Sequence, residues 1–188
     1  MKPKRAKLSF LQIRLSVKDV KPEIWRLVRV SSDITLARLH LILQILMGWQ
    51  NYHLYAFVIE ESRYAPPNED DDDFGKSKSI QTKLSSIFAK TAKTITYEYD
   101  FGDGWEIELR IESIPDMARQ KHSAECIEGA RHGPAEDSGG PHGYMEKVRI
   151  LNNPSHKRHQ EMRDWIGPDF DSEDFDIEET NEMLKEID

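Results

Sequence analysis

Two runs of strict alternation flank Gly102-Asp103-Gly104. On one side Ile95, Tyr97, Tyr99 and Phe101 are separated by polar residues, and on the other Trp105, Ile107, Leu109 and Ile111 alternate with Glu106, Glu108, Arg110 and Glu112. Period two marks an extended strand with one dry and one wet face, because successive side chains leave opposite faces of the pleat. The chain between the runs is long enough only for a tight turn, and its glycines supply the backbone freedom such turns need. Segments 94–101 and 105–114 are therefore expected to form an antiparallel hairpin. The turn itself is expected from Asp103 and the two glycines, with Phe101 and Trp105 entering the core. A hairpin with a dry face also needs a second layer to cover it.

That layer is legible upstream. Leu36, Leu39, Leu43, Leu46 and Met47 recur at helical spacing between Thr35, a hydroxyl that can cap a helix start, and Gly48, which can end one. Leu41, Ile42 and Ile45 widen the apolar stripe, so this helix is expected to be buried on more than one side. Leu11, Ile13, Leu15 and Val17 alternate as a first strand, 24–30 reads as a second after Lys21-Pro22, and 53–61 as a third. Short helices are expected over 144–151, 156–166 and 177–187, the last opened by Asp176 with Glu179 in capping-box position. Helices gathered late in the chain favour α+β over a parallel sheet. The expectation is one α+β domain, 1–188, with a mainly antiparallel sheet of about five strands, one buried helix packed on it and additional C-terminal helices. Two stretches read as connections: 62–75, rich in proline and aspartate, and 115–143, where glycines and prolines break any period.

Composition narrows the function classes. With 38% hydrophobic and 32% charged residues, 188 residues suffice to bury a core and do not resemble a disordered chain. The longest apolar stretch, 39–49, is interrupted by His40 and Gln44 and is far too short to cross a bilayer, so no membrane partner is expected. Lys2, Lys4, Arg5 and Lys7 are followed by alternation rather than by the apolar run of a secretory signal. The single cysteine, Cys126, cannot close an intrachain disulfide, and a cytoplasmic location is expected. The net charge of −8 is concentrated in 69–73 and in 164–188, where eleven acidic residues face one lysine. The rest of the chain is net basic, so bulk charge leaves a phosphate-bearing partner open.

Several stretches resemble a known family. They are Ile24-Trp25-Arg26, Thr35-Leu36 with Leu39-His40, Met47-Gly48-Trp49 followed by His53-Leu54, and Tyr99 to Trp105. Further on come Cys126 with Gly129, Glu136-Asp137-Ser138-Gly139-Gly140 with Gly143-Tyr144, Trp165, and Phe170-Asp171 with Phe175. In this order they resemble the Ri-plasmid ORF-three-like proteins of plasmids, transposons and prokaryotic chromosomes. The resemblance implies an α+β fold and a prokaryotic source, and it brings no established activity. The chain departs from the family pattern at Ile107, where a histidine is frequent, and at Gly133 and Ser138, where cysteines are frequent. A thiolate-cluster metal site is therefore not implied here.

The candidates for chemistry are mostly carboxylates. Asp100 and Asp103 either shape the hairpin turn or form an open pair of hard oxygen ligands suited to Mg²⁺ or Mn²⁺. Glu136 and Asp137, beside two glycines, either hold the loop together, pairing with Arg131 and accepting backbone amides, or line a cleft. In the second case they join Asp100, Asp103 and His53 for metal-assisted hydrolysis. The scaffold reading is preferred for both segments. Cys126, His132 and His142 match no zinc spacing, His156 and His159 read as solvent-exposed, and His40 reads as a hydrogen-bonded core histidine. Asp100-Phe101-Gly102 lacks the other motifs of a protein kinase, and no phosphate loop, nucleophile elbow or His-Glu-x-x-His is present.

The first reading is thus a non-enzymatic binding or accessory module. The alternative is a metal-dependent hydrolase, a nuclease included, with a divalent metal on the acidic cluster. A third reading is a nucleic-acid accessory protein using the basic N-terminal arm with Trp49, Tyr52 and Tyr55 for stacking, although no nucleic-acid-binding motif is present. A protein partner is also left open.

Overall fold

Alternation in the sequence becomes alternation of burial in space. The computed structural model describes residues 10–67, 77–88, 94–113 and 122–187. Strand β1 (Phe10–Val17) pairs antiparallel with β2 (Trp25–Ser31), placing Ile13 opposite Val28 and Leu15 opposite Arg26. Helix α1 (Leu36–Met47) begins at Thr35, whose hydroxyl accepts the Arg38 amide, and ends at Gly48 in the left-handed conformation (φ 69°). Strand β3 (Tyr55–Ile59) follows, then β4 (Ser62–Ala65), β5 (Lys78–Ser79) and the short helix α2 (Leu84–Phe88). The hairpin is β6 (Thr94–Tyr99) and β7 (Trp105–Ser113), with Tyr99 opposite Trp105. Strand β8 (Ala124–Ala130) precedes α3 (Gly140–Leu151), α4 (His159–Ile166) and α5 (Ile177–Glu186).

The class is α+β, but the sheet is larger than expected. Among the described residues it has eight strands in the order β5-β4-β3-β6-β7-β1-β2-β8, and it is mixed, because β4 and β5 run parallel while the other neighbours are antiparallel. The expectation of about five antiparallel strands fails at three places, each for the same reason. Strands β4 and β5 lie at the sheet's end, are no more than half-buried and carry no apolar alternation. Strand β8 is built from Ala, Glu, Cys and Gly, and its backbone ladder with β2 specifies it more than its side chains do. At its outer edge the Asn181 side chain on α5 accepts from the Cys126 amide (2.7 Å) and donates to the Cys126 carbonyl (2.9 Å). One amide side chain thus satisfies edge groups that would otherwise face water or another strand.

The buried faces of α1, β1, β2, β6 and β7 form one cluster that includes Ile13, Leu15, Val28, Leu43, Leu109 and Trp105. Phe101 does not join it; the ring is half exposed, with the Arg63 guanidinium 4.9 Å from its centroid. The turn after β6 points it outward, whereas Trp105 is buried as expected. The late helices are shifted from the expected ranges. Pro141 fits the first turn of α3, which starts at Gly140, and α4 starts at His159 after a series of turns. Asp176 caps α5 as expected, accepting the Glu178 and Glu179 amides.

A buried cation ties the sheet edge to α1. The Arg26 guanidinium donates to the carbonyls of Leu46, Trp25, Ala130 and Arg131 and lies 3.5 Å from the Phe175 ring centroid. Burial lowers its pKa to about 10, so it stays charged at neutral pH. Gly129 is required there, because a Cβ would stand 2.6 Å from the Phe175 ring and 2.7 Å from the Arg26 side chain. No described helix is long and apolar enough to cross a membrane. The N-terminal arm, 68–75 of the expected polar loop and 115–121 of the second connection lie outside the described residues.

Candidate metal centre

Three loops meet where α1, the hairpin and the start of α3 converge. His53 comes from the link between α1 and β3, Asp100 from the first position after β6, and Asp137 from the glycine-rich knuckle before α3. His53 Nε2 lies 3.6 Å from Asp100 Oδ2 and 3.5 Å from Asp137 Oδ1. One ligand atom from each residue lies within 4.8 Å of the others, and no other such group of three occurs among the described residues. The edge of a tetrahedron with ligand distances of about 2.1 Å is about 3.4 Å, so two sides of the triangle already have the spacing of ligands around one ion. His53 Nε2 is shielded from solvent and has no hydrogen-bond partner among the protein atoms. A shielded polar nitrogen that makes no hydrogen bond is costly unless something binds it.

Each ligand is oriented by its neighbours. Asp100 adopts positive φ (52°), and its Oδ1 accepts the Gly102 and Asp103 amides (3.1 and 3.3 Å), turning Oδ2 toward His53. The loop carrying His53 is set by a buried network on α1. His40 Nε2 lies 2.7 Å from Asn51 Oδ1, His40 Nδ1 lies 2.7 Å from the Tyr97 hydroxyl, and the His40 ring stacks on Tyr55 at 3.5 Å. Gln44 completes it, donating to Tyr97 and accepting the Asn51 amide. Burial lowers the His40 pKa to about 4, so the ring is neutral and its two nitrogens act as one donor and one acceptor. The expectation of a hydrogen-bonded core histidine is met.

The knuckle is fastened at both sides of Asp137. Glu136 accepts the Tyr99 hydroxyl (2.5 Å) on one oxygen and the Gln50 amide (2.9 Å) on the other. Burial, reinforced by this carboxylate, raises the Tyr99 pKa well above its usual value, which keeps its proton in place as the donor. Asp103 Oδ2 accepts the Gly139 amide, and the approach is so close that a Cβ on Gly140 would stand 2.2 Å from the Asp103 carbonyl oxygen. Trp49 stacks on Tyr99 (4.5 Å) and donates its indole N–H to the Pro134 carbonyl. Asp137 itself sits at φ 55°, with a largely exposed side chain.

The sequence candidates therefore divide. His53, Asp100 and Asp137 come together, whereas Asp103 and Glu136 serve as hydrogen-bond acceptors that hold the knuckle. Arg131 pairs with Glu173 (3.1 Å) and not with Glu136 or Asp137. Cys126 is buried in β8, with burial pushing its thiol pKa up to about 11, and it joins no ligand group with His132 or His142. Trp49 is core and Tyr55 stacks inside, which leaves Tyr52 as the exposed member of the expected stacking set. Sequence reasoning missed the roles of Tyr99 and Trp49 in positioning, although both lie in stretches that carry the family resemblance.

Two cavities flank the centre. The larger, about 660 Å³, is lined by Leu54, Tyr99, Phe101 and Trp105 among others, but by none of the three ligands. A cleft of about 590 Å³ on the other side is lined by Asp137 itself, with Glu136, Tyr52 and Trp165. Of the three candidate ligands, Asp137 alone lines the smaller space.

Fold and site together define an α+β protein with a mixed eight-stranded sheet and a three-ligand candidate cation site at the hairpin end. The chain belongs to the family described as plasmid pRiA4b ORF-3-like protein, whose model matches residues 9–179. It is 35% identical over 181 residues to an uncharacterised protein, y4hQ, of Sinorhizobium fredii (strain NBRC 101917 / NGR234), covering 95% of this chain and 92% of that one. It is also similar to the crystal structure of MM3350, a protein of unknown function from Methanosarcina mazei Go1. The TM-score is 0.79 at 29% identity, over 92% of this chain and 98% of that one. Neither the family description nor these relatives indicate an activity.

Proposed function

We propose that the protein binds a single divalent metal ion on His53, Asp100 and Asp137 and uses it for hydrolysis. The observation that supports this is the shielded His53 nitrogen, which makes no hydrogen bond and faces two carboxylates from separate loops. One imidazole and two carboxylates suit Mn²⁺, Fe²⁺ or Zn²⁺ better than Ca²⁺, and three protein ligands leave coordination positions free. Bound there, the ion supplies Lewis acidity. The chain's own residues orient it: the Gly102 and Asp103 amides hold Asp100, and Tyr99 with Glu136 holds the segment bearing Asp137. The three ligands come from the first, middle and last thirds of the sequence, so the chain works as one unit. The lone buried Cys126 is in keeping with a reducing compartment, and we place the protein in the cytoplasm on that ground.

A non-enzymatic binding module is the second reading, favoured by the commitment of Asp103 and Glu136 to holding the knuckle. The two readings separate by experiment. Calorimetric titration of the purified, chelator-treated chain with MnCl₂ and ZnCl₂ should show one site, lost in Asp137→Asn, whose exposed side chain can change without disturbing the core. Metal-restored cleavage of ester, amide or phosphodiester substrates, abolished by the same substitution, supports the hydrolase. Metal binding without turnover of any substrate class leaves the binding module, and no metal binding by the unaltered chain overturns both forms of the metal reading.

A further inference from the structure

Asp137 stands on backbone that its local sequence does not hold by itself. Its φ is 55°, and Gly139 and Gly140 follow at 81° and 67°. Positive φ is unfavourable for a residue that carries a side chain, and it persists where the surroundings over-determine it. Here the restraint falls on the peptide that joins Ser138 to Gly139, one residue beyond the candidate ligand.

That peptide is gripped at both ends by opposite charges. The Ser138 carbonyl accepts the Lys147 ammonium of α3 at 2.9 Å, and the Gly139 amide donates to Asp103 Oδ2 of the hairpin turn, also at 2.9 Å. In a trans peptide the C=O and N–H point to opposite sides, and the oxygen is the negative end of the dipole. A cation thus meets the negative end of one rigid plane and an anion the positive end. Hydrogen bonds to charged groups are stronger than neutral ones, and a flip of the plane would break both together. The fit is close, because a Cβ on Gly143 would stand 2.2 Å from the Ser138 carbonyl oxygen.

Both charged groups are themselves anchored. The Lys147 ammonium lies 4.9 Å from the Trp165 ring centroid on α4, a cation–π contact. The Asp103 backbone amide donates to Asp100 Oδ1 (3.3 Å), which joins this side of the grip to a second candidate ligand.

We infer that Lys147 and Asp103 are a positioning pair for the metal centre, clamping the Ser138–Gly139 peptide from its two sides and so aiming the Asp137 carboxylate toward His53. The inference rests on the metal reading of His53, Asp100 and Asp137.

The test is calorimetric titration of the full, chelator-treated chain and its variants with MnCl₂. Lys147→Met keeps the aliphatic stem and loses the donor, and it should weaken the metal about tenfold, as loss of an orienting partner does. Asp103→Ala should weaken it about as much, although the backbone amide to Asp100 is kept. Lys147→Arg can still donate to the carbonyl and Asp103→Asn can still accept the amide, so each should retain most of the affinity. Because both side chains act on one peptide, Lys147→Met/Asp103→Ala should fall short of the loss of about a hundredfold that two independent effects would give. Thermal midpoints without metal should show every variant folded at the titration temperature. If Asp103→Ala does not fold, the contrast between Lys147→Met and Lys147→Arg decides alone. Unchanged affinity in Lys147→Met, equal losses in Lys147→Met and Lys147→Arg, or a fully multiplicative loss in the double variant overturns the inference while the metal reading stands. No metal binding by the unaltered chain overturns both.

Discussion

His40 and His53 share one stretch of chain and have opposite surroundings. His40 is buried in α1 with both ring nitrogens bonded to neutral partners and its face stacked on Tyr55. His53 is held by that same network through Asn51, yet its own Nε2 has no bonded partner and faces Asp100 and Asp137. A polar side chain whose valences are all filled by the fold is scaffold. One whose position is enforced while its valence is left open is where a ligand fits.

The comparison can be broken at His53 with the largest effect. Asp137→Asn and His53→Ala should each reduce divalent-metal affinity by about a hundredfold or more in calorimetry, with thermal midpoints in the absence of metal nearly unchanged. An equal loss in midpoint would mean that the cluster is structural. His40→Leu should do the reverse. It leaves the Asn51 amide oxygen without its buried partner and should cost about 2–3 kcal/mol in urea unfolding, with metal affinity falling only as far as the His53 loop shifts.

A smaller effect is expected at the link between the two regions. Tyr99→Phe removes the hydroxyl that holds Glu136 and should weaken metal binding about tenfold, as loss of an orienting partner does, while costing about 1 kcal/mol of stability. Unaltered metal affinity would show that Asp137 holds its place without Glu136.

The finest test is titration. His40 has a folded pKa of about 4, below the ordinary value for a free histidine, so the unfolded state takes up more protons between those values. Its contribution to stability is therefore complete above about pH 6.5 and is lost as the pH falls toward about 4. The His40 ring resonances should hold their neutral positions down to about pH 4 in NMR, and a midpoint near 6.5 would contradict the buried network.

Legibility followed the physics of side chains. The hairpin, α1 with both caps and the strands β1 and β2 were readable because apolar periodicity and capping residues act locally. Strands β4, β5 and β8 were not, since each is specified by a neighbour's backbone or, for β8, by the Asn181 clasp as well. Among the candidate residues, His53, Asp100 and Asp137 could be named as types suited to a metal. Their sorting from Asp103 and Glu136 depended on which carboxylate oxygens other loops had already engaged.

Periodicity, caps and the resemblance-bearing stretches thus determined from sequence alone the class of fold, the central hairpin, the buried rod beside it and the family. Tertiary structure alone decided the sheet's outer strands, the outward turn of Phe101, and which two of four acidic candidates face the open histidine nitrogen. Local patterns record what a residue prefers next to its neighbours in the chain. A site is made by loops that meet only when the sheet and α1 have closed their common core.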